Sequence, residues 1–456
     1  MIRICFVHIL LDQQGKPHSP PLGALTLVEI LRQAGHDVSF LQFCHRRGTP
    51  LSWQDLAAAL DGSHDVVAAS LMLNALPLLA LAARQVRAMR PHMRIIAGGA
   101  GFAGTATAVL EAIPALDAVA TGESEQIIVP LMAALRDCGD LSTVPGLAVR
   151  LDGRVIRTPP PPLIDRLDEI PPPALDLIRL DDYHHVPLWA SRGCTYACTF
   201  CDLAPSGGRR HRRRSPENVV AALSQLQLVH GVNRVGFVDD LFVLDRNWVR
   251  RFCELKRQAG LDARWRCTAH VRLLDDDLLA TMADAGCDSV FIGAESGSDR
   301  TLGAINKPFT TAQAEQTLNM AASYVAVQTN LLWGFPFETA DDVQQTLLFR
   351  RRLIEAGIGV EMVMLAPLAL APITLKAGNL AVFSPSAPNI FYRTYADLVE
   401  TERAELLATL RAHPQAYGAF YHFPVPHLEQ TVAQLECEML TDCLCHPRDH
   451  DMGDTL

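Results

Sequence analysis

The sequence predicts an α/β protein built from two successive series of parallel strands, each strand followed by a helix. Short unbroken apolar runs alternate with segments of helical periodicity over residues 1–135 and again over residues 188–365. Unbroken apolar strands between helices indicate a parallel sheet that is covered on both faces. A Pro-rich stretch, with Pro159–Pro162 and Pro171–Pro173, separates the two series. We therefore expect a doubly wound, Rossmann-like sheet, then a partial barrel, then a small helical C-terminal region.

The composition is that of an ordinary globular protein with an acidic balance. Of the 456 residues, 49% are hydrophobic and 20% are charged, and the formal net charge is −10. This balance argues against a dominant nucleic-acid-binding surface. No apolar run reaches the roughly 18 residues that a membrane-spanning helix needs, and the first residues lack the pattern of a signal peptide. We expect a cytoplasmic protein with neither a membrane nor a nucleic acid as its partner.

The first series ends in a hairpin and a stiff linker. Helical spacing is found over Leu22–Ala34 and Pro77–Met89. Residues 146–158 read as a hairpin, and the Pro-rich stretch after it is stiff and extended. We expect a first domain over residues 1–140 and the hairpin with the linker over residues 141–185. The strands predicted in the first domain are Ile2–Leu10, Val38–Phe43, Val66–Leu71, Arg94–Ala97 and Ala118–Ala120.

The second series contains six strand-and-helix units over residues 186–365. Six units predict an open (β/α)6 barrel, and the chemistry of such barrels lies at the carboxyl ends of the strands. Ser215 followed by Pro216 predicts a helix start. Residues 366–456 lose the alternation and form a helical C-terminal region, with patterns at Asp397–Arg411 and Leu428–Thr441, that we expect to cap the substrate site. The predicted barrel strands are Leu188–Ser191, Val235–Asp239, Arg264–Thr268, Ser289–Gly293, Val325–Trp333 and Gly359–Met364.

The strongest local motif is a cysteine triad that follows the first barrel strand. Cys194, Cys198 and Cys201 are separated by three and by two residues. Thiolates are the ligands that iron–sulfur clusters require, and three of them leave one iron of a [4Fe–4S] cluster without a protein ligand. A structural zinc site normally has four ligands, and the nearest candidate for a fourth, His211, lies in a basic run. We therefore predict that the triad holds a [4Fe–4S] cluster.

A second group of cysteines lies near the C-terminus. Cys437, Cys443 and Cys445 either ligate a second metal or serve as packing and tail thiols, and the sequence leaves both interpretations open. Most of the six scattered cysteines are expected to behave as small buried hydrophobes.

Around the triad, the chain resembles the radical S-adenosylmethionine (SAM) superfamily, in particular members with an N-terminal cobalamin-binding domain. The resemblance covers roughly residues 1–365, and it departs from the family at Phe337, where relatives usually have Gly. The segments that carry it are Phe237–Phe242, Ala285–Cys287, Ile292–Ser298, Ile305–Lys307 and Trp333–Thr339 in the barrel, with Pro20–Gly23, Gly35–Val38, Gly98-Gly99 and Gly122–Glu125 in the first domain.

The resemblance implies roles for residues at the ends of the barrel strands. Asp239, with Asp240 beside it, would bind the amino group of SAM, and a carboxylate suits an ammonium that must be oriented. Glu295 and Ser296 would lie at the ribose, and Gly334 with Pro336 at the adenine. The alternatives are a helix cap for Asp239, a solvated loop acid for Glu295, and turn residues for Gly334 and Pro336.

The basic run Arg209–Arg214 follows the triad. It is either a solvated face or the source of an arginine that contacts the SAM carboxylate or the amide-rich rim of cobalamin.

The resemblance also implies a cobalamin site in the first domain. The segment Leu11–His18 does not fit the Asp-x-His-x-x-Gly motif that supplies a histidine ligand to cobalt. We therefore expect cobalamin to bind without a protein ligand on the metal, or else a relict fold that binds substrate or nothing. The residues expected to lie near cobalamin are Gly23, Ser70, Leu71, Gly98, Gly99 and Gly122.

The implied function is that of a cobalamin-dependent radical SAM enzyme, most simply a methyltransferase. One SAM would methylate cobalamin, and a second would be cleaved reductively to a 5′-deoxyadenosyl radical that activates a carbon or phosphorus of a specialised metabolite. A small-molecule or peptide substrate and a one-electron reductant such as flavodoxin or ferredoxin are implied. The alternatives are another radical reaction (ring contraction, cyclisation or rearrangement), methylthio transfer, and a non-catalytic iron–sulfur or metal-binding protein.

Overall fold

The computed structural model describes residues 2–13, 17, 19–137, 139–203 and 209–435. Over these ranges the chain forms two large sheets, one in each half, and an appended helical region that touches both. The predicted α/β class, with a first parallel sheet, a partial barrel and a helical C-terminal region, is confirmed. None of the helices in the described ranges is both long and apolar enough to cross a bilayer.

In the described part of the chain, the first sheet has seven strands in the order β2-β1-β3-β4-β5-β6-β7. Strands β1 to β5 run parallel, whereas β6 and β7 are antiparallel to their neighbours. The strands are β1 (Arg3–Gln13), β2 (Asp37–Arg46), β3 (Val66–Ser70), β4 (Arg94–Gly98), β5 (Ala118–Ala120), β6 (Leu147–Leu151) and β7 (Arg154–Arg157).

The hairpin predicted over residues 146–158 is formed by β6 and β7, and it is part of the first sheet. Ala118 of β5 pairs with Val149 of β6. A buried sheet edge leaves backbone groups without partners unless another strand covers it. The hairpin supplies that cover, and the sheet therefore extends to Arg157.

Helices cover both faces of the first sheet, as the unbroken apolar strands predict. Alternate residues of β1 point to opposite faces: Ile4 and Phe6 pack with α1 and α5, and Cys5 and Val7 pack with α2, α3 and α4. Helices α2, α4 and α5 have no counterpart among the helices predicted by range. The helices are α1 (Leu22–Gln33), α2 (Trp53–Leu60), α3 (Leu76–Met89), α4 (Ala106–Ala112) and α5 (Ile128–Arg136).

The second sheet has six strands among the described residues, all parallel and in chain order from one edge to the other, β8-β11-β12-β13-β14-β15. A short ribbon of two strands, β9 and β10, lies beyond β8. The strands are β8 (Val186–Leu188), β9 (Ser191–Arg192), β10 (Arg212–Arg213), β11 (Arg234–Phe237), β12 (Arg264–Ala269), β13 (Cys287–Ile292), β14 (Ala326–Trp333) and β15 (Gly359–Met364).

Helices alternate with these strands and share one apolar core with them. The predicted helix start at Ser215 is confirmed, since its side chain accepts a hydrogen bond from the backbone N–H of Asn218. The helices are α6 (Pro216–His230), α7 (Arg246–Gln258), α8 (Asp276–Asp284), α9 (Asp299–Ala304), α10 (Thr311–Ala322) and α11 (Ala340–Glu355).

The C-terminal region joins the two halves of the molecule. Tyr395 and Leu410 share an apolar core with α3 of the first half, whereas Ile373 and Phe423 share the core of the barrel. The region contains α12 (Pro372–Ala377), α13 (Ile390–Arg393), α14 (Glu400–Ala412) and a helical segment over 428–435. Cys437, Cys443 and Cys445 lie outside the described residues.

A buried charge cluster ties the loop after β5 to the ribbon β9–β10. The carboxylate of Glu123 accepts hydrogen bonds of 2.5 and 2.8 Å from Arg212 and lies 3.5 Å from Arg192. Arg192 also binds Glu125 at 2.5 Å. The two arginines face each other across the ribbon, where like charges repel unless they are neutralised. Glu123 and Glu125 supply that neutralisation across the boundary between the two halves.

As a result, the carboxyl ends of the two sheets face each other. Glu123 follows β5, and Arg192 follows β8 and opens the triad loop. A second contact joins the loop after β4 to the loop after β15: a Cβ added to Gly104 would lie 2.7 Å from the Cβ of Ala369 and 2.8 Å from the Cγ of Leu370. Ligands of parallel sheets lie at these ends.

Replacing Glu123 by Gln should lower the free energy of unfolding by about 3 kcal/mol, because the buried Arg212 loses its charge partner. Burial, the largest influence, raises the pKa of Glu123, but Arg212, Ile164 and Arg192 together lower it below its usual value. The stabilisation is therefore present above the unfolded-state pKa and is lost as the pH falls through the folded-state value. The difference from wild type should shrink in acid, as measured by denaturant unfolding across a pH series.

Glu405→Gln is the matched control. Glu405 joins α14 to Arg84 of α3, and the two side chains are 35% and 62% exposed. An exposed pair of this kind contributes at most about 1 kcal/mol. Equal unfolding midpoints for the two variants would contradict the assignment of a stabilising role to Glu123.

Candidate functional site

The loop that carries the cysteine triad is fastened at both ends and in its middle. Gly193 has φ +89°, and an added Cβ would lie 2.1 Å from the carbonyl oxygen of Arg210, so only glycine fits there. Its N–H donates to Asp240 at 2.8 Å. The N–H of Thr199 donates to the carbonyl of Ile305 at 3.0 Å, and the N–H of Ile373 donates to the carbonyl of Thr199 at 2.9 Å. Residues 193–201 are thereby fixed at the carboxyl end of the barrel.

The three thiols of the triad are free and partly buried. Burial raises the pKa of Cys194 and Cys198, and it raises that of Cys201 to about 11. A bound metal would offset this, because metal binding deprotonates thiols. Over the described ranges, no three His, Cys, Asp or Glu side chains converge on a single metal ion. In a cubane cluster each thiolate binds its own iron, so the donor set fits a [4Fe–4S] cluster.

Asp239 braces the strand that leads into the triad loop. It is 2% exposed, and it accepts hydrogen bonds from the N–H of Ala190 at 3.1 Å and from the hydroxyl of Ser191 at 2.5 Å. Burial raises its pKa to about 7. The alternative of a helix cap is wrong, because Asp245 caps the following helix, α7.

Asp240 is the more accessible of the two neighbouring carboxylates. It is exposed, and one of its oxygens accepts the hydrogen bond from the N–H of Gly193. The side chain can therefore accept a further hydrogen bond at the mouth of the barrel.

Glu295 is buried and held in a strained backbone conformation. Its φ is +66°, and its residue exposure is 8%. Its N–H donates to Asn330 at 3.0 Å and its carbonyl accepts from Leu332 at 2.7 Å, so β14 fixes it on both sides. Left-handed backbone at a residue other than glycine costs on the order of 1–3 kcal/mol and clusters at functional sites. The alternative of a solvated loop acid is wrong.

The carboxylate of Glu295 forms an ion pair with Lys307 at 2.8 Å. Burial alone would lower the pKa of Lys307, but Glu295, Cys198 and Cys201 raise it above its usual value. Lys307 belongs to Ile305–Lys307, one of the segments that carry the family resemblance. The sequence pattern does not by itself predict a function for this lysine. Ser296, next to Glu295, is fully buried and lies 3.1 Å from the hydroxyl of Thr346, so it braces the loop.

His270 is a site residue that sequence reasoning missed. It follows β12 directly, it is 6% exposed, and it stacks on Tyr196 of the triad loop with ring centroids 4.1 Å apart. Burial, then Lys307 and Arg272, lower its pKa to about 3, so the ring is neutral. The only signal in the sequence is its position at the carboxyl end of a barrel strand.

Gly334 and Pro336 belong to a turn that places aromatic rings beside the triad loop. Gly334 has φ +89°, and its N–H donates at 2.6 Å to Glu338, whose pKa burial raises to about 7. Phe335, which lies between Gly334 and Pro336 in the sequence, is edge-on to Phe200 of the triad loop, with ring centroids 6.4 Å apart. Phe337, the departure from the family pattern, stacks on Phe335 with centroids 5.6 Å apart.

The basic run after the triad is bound to protein partners. Arg212 is 9% exposed and binds Glu123, so the expectation of a solvated face is wrong for this residue. Arg210 pairs with Asp165 at 2.7 Å, Arg213 pairs with Asp245, and Arg214 lies over the ring of Trp189 at 4.9 Å. These four arginines therefore anchor the segment that follows the triad.

The residues expected to lie near cobalamin follow neighbouring strands of the first sheet. Ser70 ends β3 and Leu71 follows it, and Gly98 ends β4 and Gly99 follows it. Gly122 lies shortly after β5, whereas Gly23 lies in the first turn of α1. We call this edge the glycine ledge.

The glycine ledge is close-packed at Gly99 and Gly122 and open at Gly23. A Cβ added to Gly99 would lie 2.1 Å from the carbonyl oxygen of Leu71, and one added to Gly122 would lie 3.0 Å from the Cγ of Pro161, whereas one added to Gly23 would meet nothing within 4 Å. Met72, just beyond β3, is 59% exposed. Exposed apolar surface beside an open glycine fits a large flat group such as cobalamin.

His8 lies on β1, next to Ser70 of the glycine ledge. The Nδ1 of His8 lies 2.8 Å from the carbonyl oxygen of Ser70, and burial lowers the pKa of His8 to about 4. His18 lies outside the described residues.

Comparisons with known proteins find a family model for each half of the chain. A model of the radical SAM superfamily matches residues 190–350, and a model of the B12-binding domain matches residues 14–131. The chain is 30% identical over 341 residues to an uncharacterised methyltransferase from Pyrococcus horikoshii, which covers 73% of each chain. It is 26% identical over 335 residues to an anaerobic magnesium-protoporphyrin IX monomethyl ester cyclase from Synechocystis, covering 72% of this chain and 66% of that one.

A solved structure shares the fold. It is that of the radical SAM methyltransferase TsrM from Kitasatospora setae, with a TM-score of 0.71 and 16% identity, and it covers 97% of this chain and 90% of that one. The likeness in fold accords with the likeness in sequence to the Pyrococcus protein, which extends over both halves of the chain. The chain belongs to the radical SAM superfamily, in the group whose members carry an N-terminal B12-binding domain.

Proposed function

We propose that this protein is a cobalamin-dependent radical SAM methyltransferase that acts on an unactivated carbon or phosphorus of a small molecule. The observation that carries the proposal is that the carboxyl ends of the two sheets face each other. The contacts of Glu123 with Arg192 and Arg212, and of Gly104 with Leu370, close this boundary on two sides. A methyl carrier on the glycine ledge and a radical source at the triad would therefore open onto a shared space.

When bound, the [4Fe–4S] cluster supplies the electron that cleaves SAM, and cobalamin supplies the carrier of the methyl group. The chain's own residues bind and orient. Cys194, Cys198 and Cys201 hold the cluster, Asp240 accepts a hydrogen bond from the amino group of SAM, and Glu295 accepts from its ribose. The ordered position of Glu295 between two backbone hydrogen bonds favours a fixed geometry for the sugar.

Aromatic side chains shield this site from water. Tyr196 and Phe200 of the triad loop contact His270 and Phe335, which follow β12 and β14. Exclusion of water protects reactive species from side reactions. Helix α12, whose Ile373 donates to Thr199 of the loop, borders the same site and is the part of the C-terminal region that we propose shapes the substrate pocket.

A second candidate is another radical reaction on the same scaffold, such as a cyclisation. The similarity to the Synechocystis cyclase favours it, since that similarity also extends over most of this chain. Both candidates use an electron delivered by a one-electron carrier such as flavodoxin or ferredoxin. They differ in one step, because only methyl transfer requires the methyl group of SAM to reach cobalt.

The test of this function follows the methyl group without knowledge of the substrate. Full-length protein, reconstituted anaerobically with iron, sulfide and cobalamin, is reduced and incubated with SAM that carries a deuterated methyl group. We expect the label on protein-bound cobalamin together with S-adenosylhomocysteine, because the methyltransferase must load its carrier. Mass spectrometry of the extracted cobalamin provides the measurement.

The triple variant of Cys194, Cys198 and Cys201 to Ala is the control for the second SAM reaction. It should lose its iron and form no 5′-deoxyadenosine, because these thiolates are the proposed protein ligands of the cluster. Replacing the exposed Cys44 by Ala should change neither property. Formation of 5′-deoxyadenosine by wild type with no label on cobalamin would reject methyl transfer in favour of the second candidate.

Asp239→Asn and Asp240→Asn should have different effects. Asp240→Asn should weaken SAM binding about tenfold to a hundredfold, since a hydrogen bond to a charged group contributes about 1.5–3 kcal/mol and each tenfold corresponds to about 1.4 kcal/mol. Asp239→Asn should lower the melting temperature, because it loosens the strand before the triad loop. SAM affinity by equilibrium dialysis and thermal melting on both variants provide the comparison. Weaker SAM binding in Asp239→Asn alone would assign the amino-group contact to Asp239 instead.

A further inference from the structure

Lys307 is a buried cation that lies close to several groups besides the carboxylate of its ion pair. Its Nζ lies 2.8 Å from the carboxylate of Glu295 and 3.4 Å from the carbonyl oxygen of Gly293, and its side chain is 6% exposed. The same atom lies 5.7 Å from the ring centroids of both Phe200 and Phe309. Ring faces attract cations and exclude water, so this charge is held in a medium of low polarity.

The segment that carries Lys307 is bonded to the triad loop. The N–H of Thr199 donates to the carbonyl of Ile305 at 3.0 Å, and the side-chain amide of Asn306 donates to the carbonyl of Ala197 at 2.9 Å. The oxidised core of a [4Fe–4S] cluster is doubly positive, so three thiolates and the carboxylate of Glu295 exceed the core and Lys307 together by one negative charge. A loaded cluster would therefore leave the site with excess negative charge.

Of the other basic groups around the described part of the triad loop, Arg192 and Arg212 are neutralised by Glu123 and Glu125. The charge of Arg272 acts to lower the pKa of Tyr196 and of His270. Arg272 is exposed, however, and water and salt screen exposed charges. His270 is neutral at physiological pH.

We propose that Lys307 raises the reduction potential of the cluster bound by the triad, so that a one-electron donor protein can reduce it. This inference rests on the proposed function, because it assumes that the cluster is present. In the step concerned, one electron passes from the donor to the cluster, no bond forms or breaks, and no proton moves. The added negative charge lies in a buried site, where its attraction to a nearby buried cation is screened less than it would be in water.

Lys307→Met tests the proposal in the reconstituted full-length protein without SAM. At a fixed potential, the ratio of reduced to oxidised cluster should fall by at least about tenfold, because the Coulomb stabilisation is lost. Lys307→Arg should restore most of the ratio, since it keeps the charge. A redox titration followed by electron paramagnetic resonance measures the ratio, and iron analysis with thermal melting verifies that each variant is loaded and folded.

Arg272→Met is the matched control, since it removes an exposed cation from the same neighbourhood, and it should leave the ratio close to wild type. A loaded Lys307→Met variant with the wild-type ratio would overturn the proposal. The proposal would also be overturned if Lys307→Met differed from wild type only in its affinity for SAM, measured separately by equilibrium dialysis. That result would make Lys307 a ligand of SAM. Lys307→Gln is titrated in parallel, and loading by Lys307→Arg but by neither neutral variant would assign the charge to cluster assembly instead. Absence of any cluster from wild type would refute the proposed function.

Discussion

The charge cluster of Glu123 with Arg192 and Arg212 is the interaction on which the arrangement of the molecule depends. Each sheet alone would present its carboxyl ends to solvent, as parallel sheets do. The cluster bonds the loop after β5 to the ribbon that opens the triad loop, so the two ends meet. Because both arginines are largely buried, they need these carboxylates as partners. The C-terminal region reinforces the arrangement by packing its apolar side chains against both halves.

From this boundary inward, each layer of the site restrains the next. Asp239 braces the strand before the triad loop, Asp240 holds the N–H of Gly193, and the backbone of Ile305 holds Thr199. The restrained loop then presents three thiols to a space bordered by aromatic rings and by the ion pair of Glu295 with Lys307. The strain at Glu295 persists because β14 fixes its backbone on both sides. The scaffold thus stabilises a geometry that the loop alone would not keep.

Local patterns predicted much of this molecule, and long-range contacts account for what they missed. The barrel strands lie close to their predicted places, since unbroken apolar runs and turn residues are local signals. The cysteine triad is also a local signal. By contrast, the pairing of Arg212 with Glu123, of Lys307 with Glu295 and of Tyr196 with His270 joins residues 89, 12 and 74 positions apart. Hydrophobic periodicity in the sequence does not predict pairs of this kind. Helix α2 does have a local sequence signal, because Ser52 caps its N-terminus. Hydrophobic periodicity alone does not reveal that signal.

The central claim is that the glycine ledge and the triad open onto one space. The most direct measurement is the magnetic coupling between cob(II)alamin and the reduced cluster in full-length protein loaded with both, detected by pulsed electron paramagnetic resonance. Facing carboxyl ends predict a dipolar interaction that shortens the relaxation of the cobalt signal when the cluster is reduced and that vanishes when the cluster is oxidised. Cobalt relaxation that is the same in both states of the cluster would contradict the account, because it would place the two cofactors on separate faces of the molecule.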